Sequence, residues 1–261
     1  MDRLLLVLST FCYLFGFGYT MYAFGARALR PSRWNFLAMV AGFIFQTGFL
    51  YVRGQAIGRC PLTSMFEVLV FLCWSMVLFY LAIGPPYRLS LLGTFTSPLV
   101  FVIQIVALLL PGTAAVPSRS PIKPLLELHA AVSVVAYGAF ALACVAGVMY
   151  LAQERQLKTH HISTAFYSLP SIRDLAVANS RLILVGFSLF TVGLVAGVLH
   201  GPAHVLLLRI LSFAIWGLYG VLLILVFYHR VSPRKVALLS VSAFTVMLLT
   251  LWSIQLSIAR P

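Results

Sequence analysis

Apolar runs of about 20 residues, separated by short polar gaps, recur along the whole chain. A helix needs about 20 apolar residues to cross the hydrocarbon core of a bilayer, so each run predicts a membrane-spanning helix. We therefore predict an all-α integral membrane protein with one polytopic domain over residues 1–261. Its eight transmembrane helices are expected at about 4–25, 35–52, 63–83, 89–110, 125–151, 179–199, 205–228 and 234–257.

The composition agrees with this pattern. Hydrophobic residues make up 62% of the chain and charged residues only 9%, whereas a soluble domain carries about 25% charged residues. The net charge of +13 does not point to nucleic acid, because the basic residues are dispersed among the short gaps and flank the apolar runs. Pro98 lies inside the fourth run and predicts a kink there if that run is one helix.

The distribution of basic residues predicts the orientation, because cytoplasmic loops carry an excess of Lys and Arg. The gaps after the first, third, fifth and seventh runs, which we assign to the cytoplasm, hold Arg27, Arg30, Arg33, Arg88, Arg155, Lys158, Arg173, Arg181, Arg230, Arg234 and Lys235. The opposite side holds fewer basic residues, namely Arg3, Arg53, Arg59, Arg119, Lys123, Arg209 and Arg260. This bias predicts that both termini lie outside, in a multi-pass protein of the inner (plasma) membrane.

The longest connection, at about 152–178, is then cytoplasmic. In "LPSIRDLAVANSRL" the apolar residues alternate with charges, so the segment is expected as a short helix along the membrane surface or as a solvated loop.

Three histidines are expected at the outer face of the membrane. His129 falls about one turn into the fifth run, and His200 and His204 frame the Gly-Pro pair between the sixth and seventh runs. An ionisable residue at that depth is a functional candidate; the alternative for His129 is an interfacial residue that meets only headgroups or water. His200 and His204 do not form a helical metal pair, because Gly201-Pro202 interrupts the backbone between them.

Haem suits these residues better than a bare metal ion. Zinc requires three or four ligands, and Glu127 is the one further ligand nearby, whereas a haem iron takes two axial ligands and an apolar macrocycle. We therefore predict His129 and one of the pair His204 and His200 as the iron ligands. At the rim, Arg209, Arg119 or Lys123 could pair with the propionates.

Each of the remaining candidate residues could have a structural role instead of a functional one. Trp216, Tyr219 and Tyr137 could stack on a porphyrin, although aromatic residues at helical spacing are more often packing residues. His229 could be an inner haem ligand or a snorkelling interface residue. Ser64 and Glu67 form the pattern of a helix capping box, which we prefer to a role of Glu67 in proton or ligand handling. The four scattered cysteines form no redox or metal motif.

Three stretches of the chain resemble the CcsA/ResC-type cytochrome c assembly proteins. They are "CPLTSMFEVLVFLCWSMVLFYL", "ELHAAVSVVAYGAFALACVAGVMYL" and "LPSIRDLAVANSRLILVGFSLFTVGLVAGVL", within a family-like core of about 60–230. The resemblance implies a helical membrane bundle that binds haem at its outer face and passes it to apocytochrome c with a ResB-type partner. It also implies that His129 matches an outer haem-ligand histidine and His229 a histidine at the inner end of its helix.

The chain departs from that family at two places. The tryptophan-rich outer loop that should follow Leu199 is replaced by "HGPAH", and no histidine follows the last helix. The chain therefore resembles more closely the short HemX/YpjD-like branch, which also lacks that loop. His204 or His200 would have to replace the missing ligand.

These observations lead to two main hypotheses and a weaker third. The first is a membrane protein that binds haem b near the outer face and assists cytochrome c assembly without independent catalysis. The second is a HemX-like regulatory or scaffold protein of tetrapyrrole metabolism, without a bound cofactor, that acts through the loop at 152–178. The third, an accessory to ion transport, is disfavoured because the chain has only five acidic residues.

Overall fold

A computed structural model describes residues 2–25, 33–83, 92–110, 123–159, 171–199, 206–228 and 231–258. Over these residues the regular secondary structure is entirely α-helical, which confirms the predicted fold class. The eight helices are α1 (Asp2–Gly25), α2 (Arg33–Ile57), α3 (Met65–Ile83), α4 (Leu92–Leu109), α5 (Pro124–Lys158), α6 (Ile172–Leu199), α7 (Leu206–Phe227) and α8 (Pro233–Ile258).

Seven of the eight helices are long and apolar enough to cross a membrane. For α4, the described apolar stretch is Phe95–Leu109. The fourth run is one helix, because α4 continues through Pro98. The eighth crossing, the kink at Pro98 and the outside position of both termini therefore stay predictions.

The helices α5 and α6 reach further into the connection at 152–178 than the sequence predicted. Helix α5 continues to Lys158, and α6 begins at Ile172. Ser171 caps α6: its hydroxyl accepts a hydrogen bond from the backbone N–H of Asp174 at 3.1 Å and donates one to the Asp174 carboxylate at 2.6 Å. Residues 172–178 are thus the first turns of α6, not a separate surface helix or a loop. The cytoplasmic side of this connection stays a prediction.

The helices group into two compact units. The first contains residues 1–122 and 152–175, and the second contains residues 123–151 and 176–261. The first unit is thus built from α1–α4 with the ends of α5 and α6 that adjoin their connection, whereas most of α5 and α6 belongs with α7 and α8.

A buried layer of polar side chains joins α1, α2 and α4 in the first unit. Gln46 on α2 accepts a hydrogen bond from the hydroxyl of Tyr13 at 2.6 Å, and its amide donates to Gln104 at 3.0 Å and to the Val70 carbonyl at 2.8 Å. Gln104 in turn donates to Ser9 at 3.3 Å. Hydrogen bonds between polar side chains can associate helices in a bilayer, where apolar surface alone gives little preference for one partner.

An ion pair links α2 to the start of α3. Nε of Arg53 donates to the Glu67 carboxylate at 2.8 Å, and both side chains are almost fully buried. The second oxygen of Glu67 accepts hydrogen bonds from the backbone N–H and the hydroxyl of Thr63. The backbone N–H of Glu67 donates to Ser64 at 3.3 Å, as the capping box predicts. The sequence analysis placed Arg53 in a polar gap, whereas in the structure it lies inside α2.

In the second unit, aromatic and small residues bring α7 and α8 against α5 and α6. The rings of Phe140 on α5 and Tyr219 on α7 are stacked with their centroids 3.7 Å apart. A Cβ atom at Gly147 of α5 would lie 3.3 Å from the Ala237 carbonyl of α8. Close approach of this kind needs small residues at the helix interface.

We predict that breaking the buried ion pair destabilises the protein strongly. Glu67→Gln keeps the shape of the side chain but leaves the Arg53 charge buried without its counter-charge, which costs about 3–5 kcal/mol. Equilibrium unfolding in detergent measures this loss. The double variant Arg53→Met/Glu67→Gln should be more stable than Glu67→Gln alone, because it also removes the buried arginine charge.

The exposed pair between Lys158 and Glu154, at 2.7 Å, provides the control. Lys158→Ala should change the free energy of unfolding by no more than about 0.5 kcal/mol. Equal effects of Glu67→Gln and Lys158→Ala would contradict a structural role for the buried pair.

Candidate functional site

His129 lies in the second turn of α5 and is partly buried. Its Nδ1 atom is 2.7 Å from the backbone carbonyl oxygen of Gly193 on α6. The first position of α5 is Pro124, whose fixed φ angle and missing N–H suit the start of a helix. The start of the helix thus places the histidine about one turn inside α5, and the contact with α6 fixes its ring.

The partner of His129 determines which ring nitrogen carries the proton. A carbonyl oxygen can only accept a hydrogen bond, so Nδ1 must be the donor. In the neutral ring the proton is then on Nδ1, and Nε2 keeps its lone pair. Among the residues that the structure describes, none makes a hydrogen bond to Nε2. Histidines that bind metal ions show this arrangement, in which one nitrogen donates to a carbonyl and the other faces the metal.

Two glycines of α6 allow the ring of His129 to lie close to that helix. A Cβ atom at Gly197 would be 2.7 Å from Nδ1 of His129 and 3.0 Å from Cε1. One turn earlier on α6, a Cβ at Gly193 would be 2.7 Å from the hydroxyl oxygen of Ser133 on α5. Side chains at either position would push the two helices apart, so the Gly-x-x-x-Gly spacing is what admits the imidazole.

The same antiparallel contact continues along both helices. A Cβ at Gly186 would be 2.6 Å from the ring of Phe140. Further along, the side-chain amide of Asn179 donates to the carbonyl of Ala143 at 2.9 Å. The position of His129 is therefore fixed by a long helix–helix interface and not by one local contact.

The surface near His129 is apolar. On α5 the side chains of Leu126 and Leu128 are 44% and 46% exposed, and on α6 those of Val195 and Leu199 are 52% and 68% exposed. Exposed aliphatic side chains on these two helices could meet either lipid or the apolar macrocycle of a haem. A ring nitrogen without a hydrogen-bond partner and an apolar surface are compatible with that cofactor, and the role of His129 as its ligand stays a prediction.

The structure tests the other candidate residues only in part. His200, His204 and His229 lie outside the described residues, so their roles stay predictions. Arg209 lies in the first turn of α7, is partly exposed, and makes no ion pair or hydrogen bond within the part of the chain that the structure describes. It remains available to an anionic group.

Trp216 belongs to the packing of α7 on α6. Its indole N–H donates to the hydroxyl of Thr191 at 3.0 Å, and its ring stacks on Phe187 with centroids 5.6 Å apart. Tyr137 and Tyr219 are buried among aromatic side chains in the same unit. The packing interpretation that the sequence left open therefore accounts for these contacts of Trp216, and its predicted role beside haem stays a prediction.

Over the described ranges, no three His, Cys, Asp or Glu side chains group together as a metal site requires. One carboxylate oxygen of Glu127, two residues before His129, is buried with no hydrogen-bond partner there. Sequence reasoning missed the two glycines that hold His129, although the spacing in "GLVAG" was visible as a small-residue motif.

Known proteins match most of this chain. The family model described as "Cytochrome C assembly protein" matches residues 62–259. "Protein HemX" of Brevibacillus brevis is 29% identical over 173 residues, which cover 66% of this chain and 64% of that protein. "Protein HemX" of Bacillus subtilis (strain 168) is 23% identical over 212 residues, which cover 78% of this chain and 77% of that protein.

Proteins with the name CcsA occur among the relatives as well. "Cytochrome c biogenesis protein CcsA" of Chlorella vulgaris is 28% identical over 127 residues, which cover 46% of this chain and 38% of that protein. The chain thus spans less than two thirds of this CcsA and of the HemX from Brevibacillus brevis.

We predict that Gly197→Ala disturbs the ring of His129. The new methyl group would lie 2.7 Å from Nδ1, so the ring must move and its hydrogen bond to Gly193 must lengthen. Nitrogen-15 NMR of labelled histidine measures this, with His129→Gln used to assign the signal. The unchanged protein should show a protonated Nδ1 and an unprotonated Nε2, and Gly197→Ala should show a mixture of tautomers.

Gly217→Ala on α7 is the matched control, because no described atom lies within 4 Å of the added carbon. It should leave the His129 signals unchanged. Identical tautomer signals in Gly197→Ala and in the unchanged protein would contradict the described contact.

Proposed function

The chain belongs to the cytochrome c assembly protein family, and on that basis we propose that it binds haem b at the outer end of α5 and assists cytochrome c assembly. It is a multi-pass membrane protein, with seven helices able to span a bilayer among the described residues. The proposal places it in the plasma membrane, with haem as its cargo. Apocytochrome c and a ResB-type subunit are the proposed partners.

The observation that carries the proposal is the hydrogen bond between Nδ1 of His129 and the Gly193 carbonyl. It orients the imidazole and leaves Nε2 for an axial bond to iron. A ring fixed before the ligand arrives loses little conformational freedom on binding.

The second axial ligand in this proposal is His204, with His200 as the substitute. Both follow α6, on the same side of the membrane as the Gly197 end of that helix in the predicted orientation. Arg209, at the beginning of α7, would pair with a propionate, since it has no other partner among the described residues. His229, at the far end of α7, would contact haem only at the inner side.

When bound, haem would supply an iron that accepts nitrogen ligands. His129 and His204 would hold it through their ring nitrogens, Arg209 would pair with a propionate, and aliphatic side chains would meet the macrocycle. The proposed activity is therefore binding and delivery, without a covalent step on the protein.

We predict that the protein purified in detergent shows a Soret absorption band, and that His129→Ala/His204→Ala loses it. Removing both imidazoles removes both proposed bonds to iron. His161→Ala is the control, since it also removes a histidine but from the predicted cytoplasmic connection. No haem in the unchanged protein, or an identical band in the double variant, would contradict the proposal.

The two matches to HemX proteins favour a second candidate function. In that case the protein is a regulatory or scaffold protein of tetrapyrrole metabolism without a bound cofactor, and the connection between α5 and α6 contacts the partner. Because the two helices occupy most of 152–178, replacing only residues 160–170 with a Gly/Ser segment of equal length is the sharper test. Loss of partner capture by this variant, with its melting temperature in detergent unchanged, would support this function; retention of function would exclude that route.

A further inference from the structure

The turn between α2 and α3 forms a groove that the proposed haem function does not use. The groove has a volume of about 380 Å³, and its polar lining comes from Tyr51, Gln55, Arg59 and Cys60. Tyr51 is 69% exposed and lies two turns before the end of α2. Exposed tyrosines are enriched where membrane helices reach the headgroups, so we place the groove at the level of the interface.

The walls of the groove are fixed by the turn itself. Gly58 ends α2 with a φ of +78°, a conformation that glycine adopts without strain. The absence of a side chain at Gly54 lets the following chain fold back, since a Cβ there would be 3.5 Å from the Arg59 carbonyl and 3.7 Å from Pro61. On the other side, Glu67 holds Thr63. The groove therefore exists before any ligand arrives.

Arg59 is the unusual member of the lining. Its Nε atom is buried and has no hydrogen-bond partner among the described residues. Arg53, six residues earlier, has the same group paired with Glu67 at 2.8 Å. A buried donor of a permanently charged group is costly when it is left without an acceptor. The carboxylate of Glu67 is already engaged, so Arg59 requires an acceptor that the described part of the chain does not supply.

We propose that this groove binds a phosphate group, with Arg59 as the charged donor and Gln55 as a second polar contact. The planar guanidinium presents several donors in a fixed geometry that matches phosphate oxygens. The Gln55 side chain is exposed and makes no hydrogen bond among the described residues, so its amide is free to donate. The phosphate can belong to a lipid headgroup or be free in solution, and the position of Tyr51 favours the lipid.

Titrations of the purified full-length protein test the proposal, with the melting temperature in detergent as the readout. The probes are phosphatidylglycerol, a diacylglycerol with the same acyl chains, and inorganic phosphate. We expect phosphatidylglycerol to raise the melting temperature and the diacylglycerol to leave it unchanged. Arg59→Gln should raise the apparent Kd for phosphatidylglycerol about tenfold.

Two further variants separate a specific site from general charge. Arg59→Lys keeps the charge but lacks Nε and the planar group, so it should also weaken binding severalfold. Arg33→Gln removes one charge from an exposed arginine at the other end of α2 and should leave the Kd unchanged. If Arg59→Gln does not fold, Arg59→Lys carries the test.

The outcomes are distinct. A response to phosphatidylglycerol alone supports the lipid source, and an equal response to inorganic phosphate supports free phosphate. Equal Kd values for Arg59→Gln or Arg59→Lys and the unchanged protein would overturn the proposal, as would an equal response to the diacylglycerol. The result is independent of haem, because His129 is unchanged in every variant.

Discussion

The close approach of α5 and α6 is the contact on which the rest of the site depends. Gly193 and Gly197 remove the side chains that would separate the helices, and the imidazole of His129 occupies the space. The Gly193 carbonyl has two lone pairs, so it can accept from His129 in addition to the bond it accepts within its own helix. A backbone atom therefore fixes the tautomer of a side chain on another helix.

In a bilayer, a buried polar group needs a partner within the protein. Water is absent from the hydrocarbon core, so an unsatisfied polar group there is expensive. The first unit shows the usual solution, in which Gln46 and Arg53 find their partners on neighbouring helices. The two groups that carry the proposals, Nε2 of His129 and the side chain of Arg59, lack a partner among the described residues. Both lie toward helix ends, where a ligand or the aqueous phase can reach them.

The helices could be predicted from the sequence because the thickness of a bilayer dictates the length of each apolar run. The ends of α5 and α6 were missed because charged residues such as Arg155 stop an apolar run but do not stop a helix. The pattern Ser171-x-x-Asp174 was the available signal for the true start of α6. Arg53 was misplaced for the same reason, since its charge marked a gap although a buried partner holds it inside α2.

For the candidate site, the sequence allowed His129 to be predicted but not its partner on α6. His129 stood out because it is ionisable and lies near the end of an apolar run. Its partner could not be inferred, because the register of α5 against α6 is a tertiary property that the sequence of either helix alone does not contain. The glycine spacing on α6 indicates a close contact but not which residue of α5 meets it.

Rescue with free imidazole tests most directly whether His129 binds iron. His129→Gly leaves a space of the size of the missing ring, and the visible spectrum of the haem-loaded protein is recorded before and after imidazole is added. The variant should lose the spectrum of a six-coordinate, low-spin iron and regain it with imidazole. A His129→Gly spectrum equal to that of the unchanged protein, and insensitive to imidazole, would contradict iron binding by His129.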